Sequence, residues 1–170
     1  MWKVSFKDPS SKKVKRFNDR VTVVTLNSFM RVPKEIMFSL PKELSYWLST
    51  HSNPKVKLNF ILKNSMEITV VGRANRADGD VDNPVFGERL AECRAKIRLY
   101  HFLYTFALKY INHYEKILYG KDVKVSGAKF KGNNYMCSVY NKYATLYVRE
   151  TNHLNKLLRE NVLRGDKEDN

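Results

Sequence analysis

Residues 84–119 read PVFGERLAECRAKIRLYHFLYTFALKYINHYEKILY, and within them Phe86, Leu90, Cys93, Ile97, Tyr100, Tyr104, Ala107, Ile111, Tyr114 and Leu118 form an apolar ladder. Its steps alternate four, three, four, three without a break. Two turns of α-helix take about seven residues, so this spacing puts all of these side chains along one face of a single long helix. Asn83 is placed as its N-cap, Pro84 as its first helical residue, and Gly120 as its stop. Such a helix is on the order of 54 Å long. Glu88 and Glu92 lie near the positive end of its dipole, and Glu92 precedes Lys96 in the favourable i,i+4 order. Between Leu99 and Leu108 only a thin polar stripe remains, formed by Arg98, His101, Thr105, Lys109 and Asn112. The middle of the helix is therefore expected to be covered twice, by a sheet and by a second helix.

The residues before it read as sheet. Trp2, Val4 and Phe6 alternate with polar residues as in a half-buried strand. Asp8-Pro9-Ser10-Ser11 reads as a turn, and Lys12-Lys13-Val14-Lys15-Arg16 as a basic loop. Val21 to Phe29 is β-branched and reads as a strand. After an irregular connection bracketed by Pro33 and Pro41, a short helix runs to about Thr50 and buries Leu44, Trp47 and Leu48. Val56, Leu58, Phe60 and Leu62, then Met66, Ile68 and Val70, alternate about a turn at Asn64-Ser65. This is a hairpin whose returning strand closes on Gly72 and Ala74.

Beyond Gly120 the sequence predicts a basic loop or small hairpin over 121–134 and a second helix from Tyr135 to about Leu163. Met136, Tyr140, Tyr143, Tyr147, Leu154 and Leu158 hold helical spacing in that helix, with a polar gap at Thr151-Asn152. The expected organisation is a sheet-plus-helix domain over 1–120, the loop, a C-terminal helix over 135–164 packed on the first, and a frayed tail over 165–170. The fold class is α+β: an antiparallel sheet of three or four strands on a long helix, with a second long helix alongside.

The chain has 170 residues, with 31 Lys and Arg against 17 Asp and Glu, a net charge of +14. The excess is concentrated early, since residues 1–76 hold 15 cationic and 5 acidic side chains. Such a charge attracts polyanions: nucleic acid, an anionic membrane surface or an acidic protein face. Lys12, Lys13, Lys15 and Arg16 form one compact patch. Lys124, Lys129 and Lys131 form another in the inter-helix loop. Loop lysines suit sequence-independent phosphate contacts.

Catalytic signatures are weak. Asp78, Asp80 and Asp82 open like a calcium loop, but Asn83 and Arg89 stand where that loop needs glycine and a closing glutamate. With Glu88 the same acids could be imagined as nuclease ligands, yet two-metal chemistry wants carboxylates from separate elements. His101 and His113 are about 120° out of phase on the helix. His51 and His153 stand alone. The Walker-type and dinucleotide-binding glycine loops are absent. Cys93 and Cys137 lack metal spacing and read as buried free thiols, which suits a cytosolic protein. No secretory leader is visible in the first residues. The stretch Ile97–Ile111 is too short and too charged to span a membrane, so none is expected.

One segment carries a resemblance. Val70-Val71-Gly72-Arg73-Ala74, an Asp-rich loop, and Phe86-Gly87-Glu88-Arg89-Leu90-Ala91-Glu92-Cys93-Arg94-Ala95-Lys96 resemble small uncharacterised proteins of bacteria and their phages. Those end a hairpin on Gly-x-Ala and enter a helix reading F-x-G-x-x-L-A-x-x-R-A. The likeness covers about residues 58–100 and implies a small phage-type protein acting in a bacterial cytoplasm. The strand–strand–helix order is also similar to the end of double-stranded-RNA-binding domains, although this helix opens on Glu88 and Glu92 where those domains carry lysines.

Two functional expectations follow. The first is a non-enzymatic accessory protein, without metal or cofactor, that binds nucleic acid or a nucleoprotein through the two lysine patches. The second is a protein-interaction module, either an inhibitor of a host defence complex or an assembly component. It would use Tyr100, Tyr104, Ile111 and Tyr114 as its interface.

Overall fold

Asn83 begins the long helix as its side chain predicts: Oδ1 accepts the Phe86 amide at 2.9 Å and the backbone carbonyl accepts that of Gly87 at 3.0 Å. In the computed structural model, the described residues are 11–17, 20–31, 42–50, 55–62, 65–76, 83–119 and 135–168. The elements are β1 (Ser11–Phe17), β2 (Val21–Arg31), α1 (Lys42–Thr50), β3 (Val56–Leu62), β4 (Ser65–Asn75), α2 (Pro84–Tyr119) and α3 (Tyr135–Glu168). The expected strand at Trp2–Phe6, the acidic loop Asp78–Asp82 and the basic connection 121–134 lie outside the described residues.

The four strands form one antiparallel sheet in the order β1-β2-β4-β3. Alternation sets its two faces. Thr22, Val24, Leu26 and Ser28 of β2 and Met66, Ile68, Val70 and Ala74 of β4 are buried on the face that meets α2. There they meet Leu99, Phe102, Leu103 and Phe106 of α2, all at most 2% exposed. Burial of side chains this large contributes about 1.5–3 kcal/mol each.

Small residues let α2 lie directly on the sheet. A Cβ on Gly72 would stand 1.8 Å from the carbonyl oxygen of Ala91 and 2.7 Å from the amide nitrogen of Ala95. Strand and helix backbones therefore touch at this crossing. The short helix α1 buries Leu44 and Leu48. Its Trp47 stacks on Phe102 at 5.5 Å between ring centroids, with Lys109 over the same indole.

The other side of α2 takes α3. Tyr100 lies 6.0 Å from Tyr143, and Tyr104 meets Tyr140 and Tyr147 edge-on at 6.1 and 5.2 Å. From Phe86 to Ile111, the part whose side chains are described, the ladder is thus covered from within the chain. Leu90, Cys93, Tyr100, Ala107 and Ile111 are buried, and Phe86, Ile97 and Tyr104 half-buried.

Two expectations are corrected. The basic run at Lys12–Arg16 is a strand, not a loop, because its backbone pairs residue by residue with β2, from Ser11 opposite Asn27 to Phe17 opposite Val21. The tail does not leave the helix at Gly165, since α3 continues to Glu168.

Candidate nucleic-acid interface

Strand β1 sorts its cations by parity. Lys12, Val14 and Arg16 pair with Leu26, Val24 and Thr22 and so lie on the helix side. Lys12 Nζ bonds Glu88 Oε1 at 2.6 Å and Glu92 Oε2 at 2.7 Å. Arg16 reaches Glu88 at 4.0 Å and donates to the carbonyl of Pro84 at 3.4 Å. Glu92 also holds Lys96 at 2.7 Å. The hydrogen bond to Glu88, then that to Glu92, raises Lys12 above the usual lysine value. Burial works to raise Glu92, but the hydrogen bonds from Lys12 and Lys96 outweigh it and hold the carboxyl below its ordinary range. Half of the expected patch therefore clamps the sheet edge to the start of α2.

The other half faces outward. Lys13, Lys15 and Phe17 pair with Thr25, Val23 and Val21, and β4 continues these rows with Val71, Arg73 and Asn75. Lys13, Lys15, Phe17, Arg73 and Asn75 are all exposed, Phe17 by 51%. The Arg73 guanidinium is steadied by Nε donating to Asn75 Oδ1 at 2.7 Å. Lys57 joins the same face opposite Thr69. A second exposed ring, Phe29, sits eight residues along β2 from Val21, roughly 27 Å away. Glu67 is the one carboxylate on the four strands.

A second basic surface lies on the helix side. Lys12, Lys96, Lys142 and Arg149 line a cleft with Leu26, Glu92, Tyr100 and Leu146. Lys142 stands 5.3 Å over the Tyr143 ring. Neither Lys142 nor Arg149 stood out in the sequence, because they flank the apolar spacing of α3 singly and not as a run. Arg73 was legible only through the outward alternation of Glu67, Thr69, Val71 and Arg73.

The remaining expected residues divide plainly. Lys124, Lys129 and Lys131 lie outside the described residues. Tyr100, Tyr104 and Ile111 pack inside the chain, and the Tyr114 side chain is outside the description. Glu88 is engaged by Lys12. Cys93 and Cys137 are buried free thiols. Among the described residues no helix is long and apolar enough to cross a membrane. No family model matches the chain, and neither a curated protein nor a solved structure matches it.

Proposed function

We infer that this chain is a binding protein for nucleic acid, alone or within a nucleoprotein, and that it presents the outer face of its sheet to the strand. The observation that carries this reading is the shared face of Lys13, Lys15 and Arg73 in adjacent register rows, with the exposed Phe17 ring beside them. Ammonium and guanidinium groups at strand spacing can follow a phosphate backbone, and exposed rings offer stacking to unpaired bases. That combination favours single strands over duplexes. The net charge of +14 adds long-range attraction. A phage-type accessory role in a bacterial cytoplasm agrees with the resemblance of residues 58–100.

The test is anisotropy titration of labelled single-stranded RNA and DNA at several salt concentrations. Binding should weaken steeply with salt, and the Lys13→Glu, Lys15→Glu double variant should lower the log–log slope by about 1.4, at about 0.7 per lost phosphate contact. Phe17→Ala should cost about 1–3 kcal/mol if a base stacks there. Failure to bind either polymer at low salt, or binding unchanged by the double variant, sinks the reading.

A further inference from the structure

The seam between α2 and α3 holds a group of three side chains with metal-ligating chemistry, and it is independent of the sheet face. Among the described residues, one ligand atom each from Cys93, Glu150 and His153 lies within 4.8 Å of the other two. Cys93 comes from α2, while Glu150 and His153 are one turn apart on α3.

Glu150 is the unusual member. It is 7% exposed and lies between Tyr147 and Leu154 in the helical spacing of α3, just before the polar gap, where a buried carboxylate is costly unless well compensated. Its compensation comes from partners that are individually weak or shared. His153 Nδ1 stands 3.4 Å from Oε1, with the imidazole half-exposed. The Cys93 thiol is a weak donor, and its Sγ lies 3.4 Å from the backbone oxygen of Glu150. Of the nearby cations, Lys96 feels the Glu150 charge but is ion-paired to Glu92, and Arg94 donates to the carbonyl of Arg73, both at 2.7 Å.

We propose that Cys93, Glu150 and His153 form a binding site for a borderline-soft divalent cation of the zinc type, which fastens α2 to α3. Sulfur, imidazole nitrogen and carboxylate oxygen are the donors zinc accepts, at about 2.0–2.3 Å, and a tetrahedral ion spaces them roughly 3.5 Å apart. The 3.4 Å separation of the His153 and Glu150 atoms already fits that spacing. The thiol completes the set by closing in across the seam and losing its proton to solvent on binding. Three protein donors leave one position, which water fills from the exposed side of His153.

The experiment is titration of the reduced full-length chain with cobalt(II) alone, read by absorbance, with thermal melting in zinc(II) as a second measurement. The expected result is a thiolate-to-cobalt charge-transfer band that saturates at one equivalent and is lost in Cys93→Ser. His153→Ala, a change at an exposed position that leaves the fold intact, should weaken cobalt binding at least tenfold and remove the rise in melting temperature with zinc. Absence of the band in the folded wild type overturns the proposal. So does a band that His153→Ala and Glu150→Gln leave unchanged, since the thiol would then be binding metal without its neighbours.

Discussion

Arg94 of α2 donates from Nη1 to the carbonyl oxygen of Arg73 at 2.7 Å, and one helical turn later Arg98 donates to the carbonyl oxygen of Val71. Strand β3 begins opposite Val70 and the Val71 amide still donates to the Lys55 carbonyl, so among the described residues β4 runs on beyond this neighbour strand. Four residues of helix advance about 6 Å and two residues of strand about 6.7 Å. Two arginines at i,i+4 therefore match two alternate carbonyls and satisfy them from the helix. The bond of Arg98 is partly buried. Arg98→Ala should cost about 1–3 kcal/mol by leaving that carbonyl unsatisfied, and Arg94→Ala, at an exposed bond, less. Urea denaturation of the two variants checks the order.

Gly72→Ala should be among the most damaging changes of a single methyl group in the molecule. The added carbon meets backbone on Ala91 and Ala95, which cannot rotate away as a side chain can. Overpacking of this kind costs about 1–3 kcal/mol and here should reach or exceed the upper end. The corresponding change at Gly87, where the nearest atom is the Thr22 hydroxyl at 3.1 Å, should cost much less. Thermal melting of both variants measures the contrast.

The ion cluster gives stability a defined pH dependence. Glu92 titrates below its ordinary range in the folded chain, so its contribution is present above the unfolded carboxylate value, near 4.3, and is lost as pH falls through the folded value. Lys12 and Lys96 are raised, so theirs is present below about 10.4 and is lost as pH climbs through their folded values. Glu92→Gln should flatten the acid limb of a stability profile. At neutral pH it should cost about 0.2–1 kcal/mol, because these groups are partly exposed. An acid limb identical to wild type would contradict this account.

Burial, reinforced by the hydrogen bond and charge of Glu150, pushes the Cys93 thiol up to about 12. A disulfide reagent at pH 8 should therefore leave Cys93 unmodified in the native chain and label it on unfolding. Mass spectrometry of the Cys93 peptide with and without denaturant reads this directly. Rapid native labelling would mean the seam opens.

The long helix was legible to the residue because Asn83, Pro84 and Gly120 each carry a local signal and the ladder between them keeps one period. The β3–β4 hairpin was legible for the same reason. Strand β1 was not. It is held by backbone pairing to β2 and all its side chains are exposed, so no hydrophobic alternation marks it. The split of its lysines between two faces follows only once the pairing is known. The Cys93–Glu150–His153 group was equally invisible, since 57 residues separate the thiol from the glutamate and only the helix pairing joins them. The apolar ladder suited an external interface as well as an internal one. Nothing in its spacing distinguished the two until α3 was seen to cover it.

The crossing at Gly72 limits how the molecule can respond to a ligand. With main chain pressed against main chain at this one point, the long rod has no cushion of side chains there on which to slide or roll, and sheet and rod are pinned together as one slab. Whatever docks on the far side of that slab meets a stiff plate already in shape, and the entropy lost on docking falls mainly on the guest.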